Sequence, residues 1–268
     1  MLRDKFVGFI GFGHMAETLL SSWLKAKLLE PSQIFFIRRD IQKQKETSKK
    51  YGISGTSLRH LVEMCDVILF CVRPQNIQEV IDEFPKDIDL SFKFFISLLA
   101  GTKLAYFQKA ISEHVQIMRV MPNLPSKIAE GMNVLTLGKD IDSENIQLGK
   151  NLFSCLGEIE EVPEQAMDVV TALSGSGPAF IASLIHAMAS FGKEEGLPYE
   201  QALNIACQTL IGTAKLVKSN QNPEQLIREI VVPGGTTEAG LNVMKENHLL
   251  KHFIDVLKAA AIKAKNLA

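Results

Sequence analysis

The sequence lacks a charge imbalance. Its 29 Lys and Arg residues stand against 30 Asp and Glu, a formal net charge of −1. Nothing in that balance suggests binding to nucleic acid or an anionic membrane surface, and neither partner is expected. It also lacks cysteine pairs. Cys65, Cys71, Cys155 and Cys207 are scattered and form no C-x-x-C, so neither a disulfide framework nor a cysteine zinc site is expected. Cys65 and Cys71 border or sit in an apolar run and read as buried free thiols, which places the chain in a reducing cytoplasm. The longest apolar run, around residues 180–191, is too short for a bilayer and contains Ser183, His186 and Ser190. Glycines interrupt the first apolar run, so no signal peptide is expected. No serine sits in G-x-S-x-G. His248 and His252 stand four apart without H-E-x-x-H, which reads as a solvated helix face and not as a metal site.

What is present is ordinary globular composition. The 268 residues are 46% hydrophobic and 22% charged, enough for one large domain or two of common size. The first half alternates strand-like and helix-like segments. Residues 6–10, 33–37, 66–72, 94–99 and 115–120 read as strands, and 15–26 as an amphipathic helix. Lys43, Lys45, Lys49 and Lys50 read as a solvated helix face. Such alternation predicts an α/β fold with a parallel, doubly wound sheet. The texture changes after Pro163 to Ala, Leu, Ile and Met at spacings of three and four. Helix boundaries are expected at Gly177-Pro178, Gly196-Leu197-Pro198, Asn222-Pro223 and Pro233-Gly234-Gly235. The expected division is therefore a Rossmann-type domain over 1–162 and an all-helical domain over 163–268. The helices look apolar on more than one face, which predicts a homodimer or higher homo-oligomer. His186 lies in the apolar helix and is expected in a core or an interface.

The chemistry starts at Ile10-Gly11-Phe12-Gly13-His14-Met15-Ala16. This is G-x-G-x-x-A after a strand-like run and before an amphipathic one. Gly11 permits the strand-to-helix turn, Gly13 lets a pyrophosphate approach the backbone, and Ala16 allows close helix packing. Free helix N–H groups then face the phosphates. The second strand ends in Arg38-Arg39-Asp40. Arginine there suits a 2′-phosphate and NADPH over NADH; the alternative is two solvated arginines. Asp40 sits late for a ribose contact and can instead cap the next helix. Three further strand ends carry Val72-Arg73-Pro74, Ala100-Gly101 and Met121-Pro122-Asn123. Together they form a plausible nicotinamide cleft. In the helical half, Ser174-Gly175-Ser176-Gly177-Pro178 permits close approach, with Pro178 suited to a first helical turn. Gly234-Gly235-Thr236-Thr237 offers free N–H groups and two hydroxyls to a small carboxylate. Taken alone, either segment is equally a helix cap.

Together these segments resemble the pyrroline-5-carboxylate reductase family. The markers are GFIGFGHMA, CVRPQ, SLLAG, RVMPNLP, ALSGSGPAF and VPGGTTEAG, nearly end to end. The resemblance implies a Rossmann domain, a helical dimerisation domain, and NAD(P)H-dependent reduction of a cyclic imine to proline. It implies that residues 10–15 form the phosphate turn and that Arg39 lies near the 2′-phosphate. Val72, Arg73, Pro74, Ala100 and Gly101 would line the nicotinamide side. Glu164 and residues 174–179 would lie on the substrate side. Thr236 and Thr237 would receive the carboxylate and ring nitrogen, on a helix from the partner subunit. Arg73, Leu58, Leu124, Val231 and Val232 depart from the family pattern. Leu58, Leu124, Val231 and Val232 leave open a non-catalytic, dinucleotide-binding paralogue or a reductase of another cyclic imine. A β-hydroxyacid dehydrogenase is disfavoured, because the second half shows no convincing catalytic lysine.

Overall fold

The five strand-like runs of the first half form the centre of one sheet in the computed structural model, which describes residues 2, 4–219 and 222–267. They are β1 (Val7–Ile10), β2 (Ile34–Ile37), β4 (Val67–Phe70), β5 (Phe94–Ser97) and β6 (Gln116–Met121). β1, β4 and β5 are buried along their whole length, as expected of parallel strands covered on both faces. The sheet order is β3-β2-β1-β4-β5-β6-β7-β8. β3 is Ser54–Gly55, β7 Gly131–Leu137 and β8 Gly157–Glu161. Order reverses between β1 and β4, and the pairs from β3 through β6 are parallel. This is the doubly wound arrangement, with its ligand crevice beyond the carboxyl ends of β1 and β4. β7 runs antiparallel to β6, and β8 runs parallel to β7.

Helices cover the sheet. α1 (His14–Lys25) buries Ala16, Leu19, Leu20 and Trp23, and Trp23 donates its indole N–H to the Leu152 carbonyl at 2.6 Å. α2 (Ile41–Tyr51) is capped by Asp40, whose side chain accepts from Lys43 N, while α3 (Leu58–Met64) is capped by Ser57. α4 (Ile77–Asp82), α5 (Leu104–Ala110) and α6 (Ser143–Ser154) complete the layers. The lysine-rich face of α2 is exposed, with Lys50 bound to Glu17 at 2.8 Å.

The contacts divide the chain into Met1–Ser176 with Ala260–Ala268, and Gly177–Ala259. α7 (Met167–Val170) leads through a π-helical segment, Thr171–Ser176, straight into α8 (Gly177–Glu194). The expected boundary at Gly177-Pro178 coincides with the start of α8, with Pro178 in its first turn, but no loop separates α8 from the π-helical segment before it. Proline cannot donate to the i−4 carbonyl, and the widened π turn before it accommodates the missing bond. One consequence corrects the short apolar run. Among the described residues, the stretch Glu164–Glu194 is 31 residues long and meets the length and composition of a membrane span, with 11% of its most apolar window buried.

The second unit contains α8 up to Glu194, α9 (Tyr199–Lys218), α10 (Pro223–Ile230), α11 (Thr236–Glu246) and most of α12 (Leu249–Lys265). The other three expected helix boundaries are present. α8 and α9 cross at small residues: a Cβ on Gly192 would come within 2.6 Å of Ala202 Cβ. Among the described residues of this unit, the buried hydrophobic side chains are Ala189, Ala202, Ala206 and Leu226, whereas Phe191, Ile205, Val243, Leu250 and Ile254 are exposed. A helical unit of this kind leaves its large apolar side chains for another surface. His186 is exposed and bonded to Tyr199 Oη at 3.2 Å, so it is no core residue of the single chain. His248 is not on a helix with His252. It occupies the turn before α12 with φ of 51°.

Candidate functional site

The turn after β1 is built as its glycines require. Gly11 has φ of +87°, and a Cβ there would meet Val72 Cγ1 at 2.8 Å and Val72 N at 2.9 Å. Only glycine fits without displacing backbone. Nothing lies within 4 Å of the place a Cβ on Gly13 would take, so the space above it is open to a ligand. Gly13 is the N-cap of α1 and receives no side-chain cap. The first amides of α1 are thus left for an anion. Ala16 is fully packed, as its role in helix–strand contact demands. Phe12 contributes only main chain here, because its ring is buried against Phe9 and Phe36.

A cavity of about 420 Å³ opens over this turn. Its walls include Ile10, Gly11, Phe12, Gly13, Arg38, Arg39, Val72 and Arg73. These are eight of the positions read from sequence, brought together from three strand ends. The three arginines make the site fit a phosphorylated dinucleotide. Arg38 is already engaged, donating from Nη1 to Thr47 Oγ1 at 3.2 Å. Arg39 is largely exposed and ion-pairs with Glu79. Glu79 was not legible as a site residue, although Asn76, Glu79, Val80 and Glu83 all line the cavity at helical spacing after β4. His14 and Met15 are not among the residues that line this cavity; His14 borders a separate one with Glu17, Ser21 and Lys127. Cys71 also lines the cavity, and burial pushes its thiol above the ordinary range. Burial likewise pushes Cys65 up to about 12. Both thiols stay neutral and supply no nucleophile at neutral pH.

Pro74 and Gly101 line a second cavity of about 510 Å³, between the ends of β4 and β5. Asn123, at the end of β6, is buried. Its Oδ1 accepts from Met132 N at 3.0 Å, and its Nδ2 donates to Ser174 Oγ at 3.2 Å. The structure thereby joins one residue read as cofactor-side to one read as substrate-side. A Cβ on Gly175 would make only ordinary contacts with Met121 and Thr171, so folding does not demand glycine there. Glu164 is held elsewhere: its Oε1 accepts from Arg119 Nη1 at 2.7 Å and from Leu104 N at 2.6 Å. Leu58 opens α3 and packs on the core between α3 and the sheet. Leu124 is exposed.

In the second unit, Gly234 has φ of +75° and its N–H donates to Glu238 Oε2 at 2.7 Å. A Cβ on Gly235 would strike the Val232 carbonyl at 2.9 Å. The first intrahelical bond of α11 runs from Ala239 N to Gly235 O. The amides of Thr236, Thr237 and Glu238 precede it and point out of the helix end. Val232 beside them is exposed.

Residues 164–267 match the family described as pyrroline-5-carboxylate reductase dimerisation. Residues 6–101 match NADP oxidoreductase, coenzyme F420-dependent. A pyrroline-5-carboxylate reductase of Methanosarcina acetivorans is 32% identical over 270 residues, covering 99% of each chain. That of Synechocystis is 33% identical over 263 residues, covering 97% of each. The chain belongs to the pyrroline-5-carboxylate reductase family. Two solved members of that family are similar throughout. The NADP-bound Plasmodium falciparum pyrroline carboxylate reductase has a TM-score of 0.90 at 28% identity, covering 100% of this chain and 99% of that one. The Streptococcus pyogenes 1-pyrroline-5-carboxylate reductase has a TM-score of 0.89 at 27% identity, covering 98% of each. The exposed apolar helices therefore lie in the segment that the family uses for dimerisation.

Proposed function

We propose that this chain reduces 1-pyrroline-5-carboxylate to L-proline with NADPH, in the cytoplasm, as a homodimer or higher homo-oligomer. The observation that carries the reading is the end-to-end similarity to reductases named for this reaction, in a chain with two glycine-bearing helix starts of its own. NADPH supplies the hydride. The imine carbon receives it, and the protonated ring nitrogen becomes the amine of proline. A protonated cyclic imine is already electrophilic, so holding it in place can carry much of the acceleration. That suits a site built from small residues. Gly11, Gly13 and the start of α1 would hold the pyrophosphate, and Arg39 the 2′-phosphate. The amides at Thr236 and Thr237 would hold the carboxylate, and Thr237 Oγ would accept from the ring N–H. Gly234 N occupies the Glu238 carboxylate, which turns that charge back onto the loop. Ser174, Gly175, Ser176 and Gly177 would leave room for substrate. The four free cysteines fit a reducing compartment.

Cofactor choice is tested at Arg39. Arg39→Ala should weaken NADPH about ten- to hundredfold, the loss of one charge-assisted bond, and leave NADH almost unchanged. Glu79→Gln should act in the opposite direction. It frees Arg39 from a surface pair, and such pairs are worth about 0–1 kcal/mol. Calorimetric titration of both variants with both cofactors decides this. Equal weakening of NADH and NADPH by Arg39→Ala would exclude Arg39 from the 2′-phosphate.

Thr237→Ala should lower kcat/KM for the imine about tenfold or more while NADPH affinity holds, because one hydrogen bond to a charged group is worth about 1.5–3 kcal/mol. Thr237→Ser keeps the hydroxyl and should be milder. Val232→Ser adds a hydroxyl beside the helix start and should tighten substrate by about 1 kcal/mol. Steady-state kinetics with NADPH saturating reads all three. A Thr237→Ala enzyme with unchanged kcat/KM would remove Thr237 from the site.

A further inference from the structure

Arg119 lies in the middle of β6, opposite Ser97 of β5 and Thr136 of β7. Its side chain is 3% exposed, and its Nε is buried without a hydrogen-bond partner. A buried ion pair is weak evidence of stability, since well-packed apolar residues often replace one without loss. This pair has a second product. The Glu164 oxygen that meets Arg119 Nη1 also accepts from Leu104 N. Leu104 is the first residue of α5, and its N-cap, Lys103, makes no side-chain cap. Glu164 thus supplies the acceptor that the helix start would otherwise lack. Before Leu104 run Ala100, Gly101, Thr102 and the N-cap Lys103. Directly after Glu164 runs the helical stretch that carries Ser174, which is tied to Asn123 at 3.2 Å. Ten residues of continuous helical backbone separate the two ties.

We propose that Arg119 and Glu164 are positioning residues: Arg119 aims the Glu164 carboxylate at Leu104 N, fixing the Ala100-Gly101 loop at a set distance from Ser174, Gly175 and Ser176. This rests on the reductase reading, in which the loop backs the nicotinamide and the serine segment faces the imine. The charge aims the carboxylate; the bond to Leu104 N sets the geometry.

The test uses two paired substitutions in the full chain. Arg119→Met with Glu164→Leu replaces the pair with apolar side chains and removes the acceptor. Arg119→Met with Glu164→Gln removes both charges and keeps an oxygen for Leu104 N. The first should lower kcat for imine reduction about tenfold or more, as misplacement of reacting groups does. NADPH affinity should stay within about threefold, because phosphate binding is elsewhere. The second should recover most of that kcat. A first variant with kcat within about twofold of wild type, or two variants that fall equally, overturns the proposal. A second measurement holds if neither variant folds. In the unsubstituted protein the Leu104 amide should exchange with deuterium slowly, unlike an uncapped first-turn amide; free exchange at Leu104 overturns it too. A wild-type chain that reduces no imine would defeat the reductase reading instead, and the Leu104 exchange rate would still decide the tie.

Discussion

Mixing Thr237→Ala protein with Gly13→Asp protein is expected to raise activity above that of either alone. Gly13→Asp places a carboxylate in the space left open above the phosphate turn, where it repels the pyrophosphate. Thr237→Ala removes the hydroxyl proposed for the ring nitrogen. If α11 serves the partner's cofactor site, each mixed dimer holds one site with both groups intact and one with neither. Random exchange in equal amounts makes half the dimers mixed, so about a quarter of wild-type activity should return above the Thr237→Ala baseline. If α11 serves its own chain, no intact site forms and nothing returns. The large apolar side chains exposed on α8, α9, α11 and α12 favour the first outcome, as does the match of residues 164–267 to a dimerisation family. An active monomer by sedimentation, or no recovery despite proven subunit exchange, rejects the shared site.

Gly11→Ala and Gly13→Ala should separate folding from binding at the same turn. Gly11 has φ of +87°, and its added Cβ would press on Val72 N at 2.9 Å. Val72 follows β4, which is paired to β1, and Cys71 N donates to Ile10 O at 2.8 Å. That backbone has no free direction in which to yield. Left-handed strain and overpacking together should cost about 2–4 kcal/mol. Displacement of the turn should also weaken NADPH, because the turn and the helix start behind it receive the pyrophosphate. Gly13 has ordinary φ of −102° and an empty surround. Gly13→Ala should cost only about 1 kcal/mol of stability, the loss of a favoured N-cap residue, and still weaken NADPH, because the methyl takes the pyrophosphate's place. Thermal unfolding and calorimetric titration read the two effects independently. Gly13→Ala that binds NADPH as wild type does would move the pyrophosphate away from Gly13.

The parts of the fold that could be read from sequence are those governed by neighbours in the chain. β1, β4 and β5 announce themselves as short, β-rich runs because both faces are covered. Asp40 was legible as a cap because its partner, Lys43 N, is three residues on. β7 and β8 were not read as strands. β8 is Gly157-Glu158-Ile159-Glu160-Glu161, with three of five residues acidic, and only its pairing to β7 makes it extended. The Ser174–Ser176 segment carries the signature of a break, yet helix continues through it as a π turn. The residues on both sides, Val169-Val170-Thr171 and Gly177-Pro178, are weak helix formers, so local propensity gives no sign that the helix continues. The Arg39–Glu79 and Arg119–Glu164 pairs join residues 40 and 45 apart. No local pattern reports them, and they decide what Arg39 and Glu164 are free to do.

The most direct measurement is a steady-state assay of purified protein with 1-pyrroline-5-carboxylate and NADPH, following NADPH absorbance and proline formed. The account predicts one proline for each NADPH oxidised, saturation in both reactants, and kcat/KM lowered about tenfold or more in Thr237→Ala. NADPH binding without proline formation at any pH from mildly acid to alkaline would contradict it, and would make the chain a dinucleotide-binding protein that has lost the reaction of its family.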